Sequence, residues 1–150
     1  MRPRLGVFMS HPIQYQTSLM RHLAAIAEID LTVNYYWNFG VEPSFDSEFG
    51  DFVKWDLPLL SGYSSIFRRN FAYKPSTSFF GCINFGIVWP IMKKDYDVVL
   101  IFGWALFSNW LVAISALLSN TPILLISETP MSHEAMKTGL RKVIRRFVLK

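Results

Sequence analysis

The residues best equipped for chemistry lie close to the N-terminus. Ser10-His11-Pro12-Ile13-Gln14-Tyr15-Gln16 crowds an imidazole, two amides and a phenol directly after a short apolar run. A nucleotide-binding Rossmann turn would carry Gly-x-Gly-x-x-Gly there, so that backbone could approach a pyrophosphate. This stretch has no glycine, which argues against a dinucleotide cofactor. Amides and a phenol offer uncharged donors and acceptors, a set suited to hydroxyl-rich ligands. An imidazole ordinarily titrates near 6.5, so His11 could take a proton from a ligand hydroxyl. The plainer alternative is that His11 braces the turn before Pro12.

Three further positions merit the same weighing. Glu128 follows a second apolar run, beside Thr129-Pro130. A carboxylate there could be a base, a nucleophile or a hydroxyl anchor, or could cap a helix through its dipole. Gly103 precedes Trp104; the glycine could serve a positive φ or the close approach of a ligand. Trp104 could stack on a ligand face or belong to the core. His133 reads as solvated or capping. The single Cys82 lies among apolar neighbours and reads as a packing residue. No His, Cys and carboxylate cluster has metal-ligand spacing, so no metal is expected.

The elements that must hold these residues follow from periodicity. Leu5–Met9 reads as a first strand, Gln16–Ala27 as an amphipathic helix with Leu19, Met20, Leu23, Ile26 and Ala27 inward, and Leu31–Tyr36 as a second strand. The span 37–79, rich in Gly, Pro, Ser, Asp and aromatics, reads as irregular with one short strand at Phe52–Trp55. Phe80–Lys94 reads as a helix with a possible kink at Pro90. Val98–Phe102 then gives a strand. A helix with Leu106, Trp110, Ala113, Ile114 and Leu117 inward follows, and Ile123–Ile126 gives another strand. A last amphipathic helix begins near Ser132. Alternating strands and helices imply an α/β fold, a Rossmann-like, mostly parallel sheet flanked by helices. Ligands bind such sheets outside the carboxyl ends of the strands. That nominates Ser10–Gln16, Gly103–Leu106 and Ser127–Ser132.

Composition leaves one competitor. At 51% hydrophobic and 17% charged, with mean hydropathy +0.26, the 150-residue chain is unusually apolar. Val98–Leu118 has no charge over a length that could span a bilayer. Its internal order of β-branched run, glycine and helical spacing favours a βαβ crossover instead. The net charge of +4 is concentrated: Lys137, Arg141, Lys142, Arg145, Arg146 and Lys150 close the chain without an acid. The remainder carries nine basic and eleven acidic residues. Nucleic-acid binding is therefore not expected. The terminal Lys137–Lys150 helix could lie on anionic membrane. The opening apolar run is too short for a signal peptide, so a cytoplasmic protein, peripheral at most, is expected.

The run His11-Pro12-Ile13-Gln14-Tyr15-Gln16 resembles the opening of a group of bacterial family 4 glycosyltransferases. Phe49-Gly50 and Trp55-Asp56-Leu57-Pro58-Leu59-Leu60-Ser61-Gly62-Tyr63 resemble its segment after strand two. Asp97-Val98-Val99-Leu100-Ile101-Phe102-Gly103 and Pro122–Glu128 resemble two later strands with their turns. The resemblance implies a GT-B fold of two Rossmann-like domains facing across a cleft, with no required metal or cofactor. Residues 1–150 would form the N-terminal domain, which receives a glycan or glycolipid acceptor. The nucleotide-sugar donor would bind a C-terminal domain absent from this chain, so the chain alone should not complete a transfer. Many family members have a glycine-rich turn after strand one and a histidine where this chain has Glu128. The expected site is then Glu128 and His11 for catalysis, with Ser10, Gln14, Tyr15, Gln16, Gly103 and Trp104 binding substrate. The alternatives are a membrane-associated non-enzymatic protein and a stand-alone sugar-binding module.

Overall fold

The computed structural model describes residues 2–41, 44–46, 51–53 and 58–126. In chain order they form β1 (Arg4–Met9), α1 (Gln14–Ala25), β2 (Asp30–Tyr35), β3 (Ser44–Asp46), β4 (Asp51–Val53), β5 (Ser64–Phe67), α2 (Val88–Met92), β6 (Val98–Phe102), α3 (Phe107–Leu118) and β7 (Ile123–Ile126). Five strands make one sheet in the order β5-β2-β1-β6-β7, every neighbouring pair parallel. This is the expected Rossmann-like α/β architecture. The chain winds outward from β1 through β2 to β5, then returns to place β6 on the other side of β1. A topological switch point therefore lies between β1 and β6. β3 and β4 pair with each other as an antiparallel hairpin.

Strand alternation sends side chains into two cores. Val7, Met9, Leu31, Val33, Tyr35 and Leu100 meet Met20 of α1 on one face. Phe8, Tyr36, Val99 and Ile101 meet Ile87, Ile91, Val112, Ala113 and Ala116 on the other, under α2 and α3. At Gly6 the ring of Tyr96 crosses the sheet so closely that a Cβ would lie 2.7 Å from it. The start of β1 is tied to the start of β6, where Arg4 donates to Asp97 Oδ1 at 2.8 Å.

The structure moves several expected boundaries. Helix α1 starts two residues early, and its inner stripe is Gln16, Thr17 and Met20, with Leu19 and Ile26 exposed. The helix expected over Phe80–Lys94 shrinks to two 3₁₀ turns, at Phe79–Gly81 and Phe85–Ile87, and the five residues of α2. Asn84 accounts for the break, because its side chain donates to the carbonyls of Tyr36, Arg68 and Arg69 and so ties residue 84 to chain outside the segment. Pro90 makes no kink; it sits in the first turn of α2, where a backbone N–H has no helical partner. The strand expected at Phe52–Trp55 is β4, and Trp55 falls outside the described residues.

The uncharged stretch Val98–Leu118 divides into β6, a turn and α3, and no helix among the described residues is long and apolar enough to cross a membrane. The stripe expected on α3 is kept only in part: Leu106 and Ala113 are buried and Trp110 is half-buried. Ser108, Asn109, Val112, Ala113, Ser115 and Ala116 face inward, while Ile114, Leu117 and Leu118 are exposed, the last at 72%. Small and polar residues let α3 lie close to the sheet and bond to it, which outweighs burial of the larger side chains. The helix expected from about Ser132, with His133 and Lys137–Lys150, lies outside the described residues.

Candidate functional site at the switch point

The carboxyl ends of β1 and β6 come together at the switch point. Phe8 is paired with Ile101, so continuing the register sets Ser10 beside Gly103. The backbone oxygen of Ser10 also accepts from the amides of Tyr36 at 3.1 Å and Trp37 at 2.9 Å, which brings in the end of β2. Three strand ends thus share one rim.

His11 lies on this rim, half-buried. Its Nδ1 is 3.0 Å from Ser10 Oγ. Its ring meets Phe39 edge-on at 5.3 Å between centroids and Trp37 at 5.9 Å, and those two rings lie 4.7 Å apart. Burial against these aromatics pushes the imidazole below its ordinary pKa, so it is neutral at physiological pH. With Nδ1–H donated to Ser10, Nε2 keeps a lone pair and can accept a proton. The brace that the sequence offers as an alternative is therefore present, as the contact between His11 Nδ1 and Ser10 Oγ.

The rest of the expected cluster divides. Gln14, Tyr15 and Gln16 belong to the first turn of α1, not to a loop, because Ile13 is already the extended residue ahead of the helix. Gln16 is buried, with Nε2 donating to the Tyr15 hydroxyl at 3.3 Å, and Tyr15 is mostly exposed. The irregular part of the turn is therefore Ser10–Ile13. Gly103 has φ +76°, and a Cβ there would meet nothing nearer than Asn109 Nδ2 at 3.9 Å. Backbone conformation, and not crowding, is what calls for glycine. Trp104 stands next to it, partly buried. Glu128 and the Ser127–Ser132 segment lie outside the described residues. Cys82 is wholly buried and burial raises its thiol to about 11, as a packing residue requires. Among the described residues no group of three or more His, Cys, Asp or Glu side chains could hold a metal ion.

Beneath the rim runs a buried polar bridge that periodicity does not reveal. The Tyr36 hydroxyl donates to Asn109 Oδ1 at 2.7 Å, and Asn109 Nδ2 donates to the Phe102 carbonyl at 3.3 Å. The ends of β2 and β6 are thereby joined across β1. Asn84 holds the Tyr36 carbonyl at 2.9 Å, and Ser108 Oγ donates to Asn84 Oδ1 at 2.8 Å. Trp37 and Phe39 are also absent from the expected site, although they follow the end of β2 and the strand-end rule could have found them. The asparagines give no such signal, because their partners are distant in sequence.

Neither the protein-family models nor the curated proteins compared with this chain give a match.

Proposed function

We propose that this chain is the acceptor-side half of a GT-B glycosyltransferase of family 4 type, taking part in transfer of a sugar from a nucleotide-sugar to a glycan or glycolipid. The observation that carries the reading is the neutral His11 at the switch point, on a glycine-free turn. Around it stand donors, acceptors and rings in place of a phosphate cradle. Sugars present hydroxyls on their edges and apolar C–H faces, which suits Ser10, His11 and the nearby Trp37, Phe39 and Trp104. His11 would accept the proton of the attacking hydroxyl, with Gln14, Tyr15 and Gln16 near the acceptor's approach. Glu128 stays a second catalytic candidate on sequence position alone. The donor would bind a second domain, with no metal or other cofactor. A cytoplasmic position at the membrane face suits a lipid-carried acceptor, and the Lys137–Lys150 segment supports it by charge.

The test is a protein containing this chain together with its donor domain, assayed for sugar transfer. His11→Ala should lower kcat by on the order of a hundredfold or more while the thermal midpoint holds. Full turnover in that variant rejects His11 as the base. A chain that binds oligosaccharides tightly yet works with no donor domain would instead be a stand-alone binding module.

A further inference from the structure

Between β5 and β6 the chain has an uneven surface. Residues 68–94 hold five basic side chains, Arg68, Arg69, Lys74, Lys93 and Lys94, and the acids Asp95 and Asp97 follow only at the end of the connection. Arg68 turns inward, donating from Nε to Asn34 Oδ1 at 2.9 Å and from Nη2 to the Tyr96 hydroxyl at 3.3 Å. The other four are exposed. The same stretch exposes large apolar side chains, among them Phe85 at 55% and Trp89 at 66%.

These groups are joined. Phe85, Trp89 and Met92 recur at four and three residues along the second 3₁₀ turn and α2, so they share one side. The Phe71 ring lies 5.9 Å from that of Phe85. The Arg69 guanidinium is 5.0 Å from the Phe71 ring centre, and the Lys93 ammonium 4.7 Å from that of Trp89. The result is a strip of exposed rings with cations along it.

Charge decides what fits the strip. A second copy related by two-fold symmetry would set cation against cation, and of the two acids before β6, Asp95 and Asp97, the second is already paired with Arg4. The chain's own Lys137–Lys150 segment is also wholly basic. A single-stranded nucleic acid would need open ring faces, and cations already lie over those of Phe71 and Trp89. An anionic bilayer offers both what the rings and what the cations require, an apolar layer beneath phosphates.

We propose that this strip docks the protein on an anionic lipid surface, with Phe85, Trp89 and Met92 entering the headgroup region and Arg69, Lys93 and Lys94 among the phosphates. It does not depend on the sugar-transfer reading. The contact is independent of the terminal basic segment, and that sets the experiment. Co-sedimentation of the full chain is measured with phosphatidylcholine vesicles and with phosphatidylcholine–phosphatidylglycerol vesicles. Binding is expected only to the latter, weakening with salt. At about fivefold per cation, Arg69→Gln with Lys93→Gln should weaken it on the order of tenfold or more. Phe85→Ala with Trp89→Ala should weaken it at least as much, with thermal midpoints unchanged because all four side chains are exposed. Should the aromatic pair fail to fold, the charge pair decides alone.

Three results overturn the proposal. One is the absence of binding to anionic vesicles. Another is binding that loss of terminal charge abolishes, through Lys142→Gln with Arg145→Gln, while both strip variants bind normally. The third is a self-association or an oligonucleotide affinity that the strip variants remove in place of vesicle binding.

Discussion

The two layers that cover the sheet are built on different principles. Under α1 the core is an apolar cluster, with Met20 against Val7, Met9, Val33 and Leu100. The layer's polar members bond locally or near the edge: Gln16 to the Tyr15 hydroxyl, Thr17 to the Gln14 carbonyl, and the Tyr35 hydroxyl to that of Tyr63 at 2.8 Å. Under α2 and α3 an apolar core is threaded by Asn34, Asn84, Ser108 and Asn109, all buried and all bonded. The first layer needs only a helix of suitable pattern. The second must hold an irregular stretch, residues 68–87, against a regular sheet, and its backbone groups find partners in side chains instead of in a ladder. The switch-point site lies over the second layer, so its geometry depends on bonds more than on packing alone.

The sharpest way to break this contrast is Asn84→Ala. It leaves the carbonyls of Tyr36, Arg68 and Arg69 without their donor. We expect a loss of about 3–5 kcal/mol in denaturant unfolding. A cost under about 1 kcal/mol would mean that water or a neighbour replaces the amide and that the network is dispensable. Adjacent tyrosines give a finer comparison. Tyr36→Phe should cost about 1–2 kcal/mol, because Asn109 Oδ1 loses its donor in a dry interior. Tyr35→Phe should cost below about 1 kcal/mol, since Tyr63 is only half-buried and still donates to the Leu59 carbonyl. Equal costs would erase the distinction between the layers.

Two pH effects are smaller. Burial depresses the His11 pKa, so below about 6.5 the unfolded chain binds a proton that the folded chain resists. Stability should fall as pH drops through that value, and His11→Gln should lack this slope in thermal melts at successive pH values. At the opposite end of the sheet the Arg4 guanidinium and amide hold the Asp97 carboxyl down at about 2. Its contribution is complete above the ordinary carboxylate pKa and fades as pH falls from there towards 2. The pair is exposed and open to screening, so Asp97→Asn should flatten this acid limb only slightly.

Legibility in the sequence follows the same division. The strands announce themselves, because Val98–Phe102 is short, apolar and bounded by turns and Leu31–Tyr36 is short and follows Asp30, and alternation with helices gives the fold class. Periodicity fails where bonding outweighs burial. The inward face of α3 is set by Ser108 and Asn109, whose partners lie 24 and 73 residues away, and no local pattern encodes them. Phe80–Lys94 looks helical because its apolar spacing suits one, while the side chain of Asn84 ties it elsewhere. At the site, His11 and Gly103 are legible from their places after strands. The aromatic cradle of His11 is legible only in part, since it needs β2 to be known as β1's neighbour.

The ion pair between Arg4 and Asp97 joins positions 93 residues apart, and the same separation holds for β1 and β6 as strands. The central strand of the sheet is thus made early, but its second neighbour emerges much later. At ribosomal speeds of about 5–20 residues per second the interval is on the order of five to twenty seconds. For that time the edge of β1 that will meet β6 has no strand to pair with, and the apolar run Gly6–Met9 is open to other chains. The switch point that shapes the site thereby also sets a waiting time, during which a chaperone or a crowded neighbour competes for the central strand.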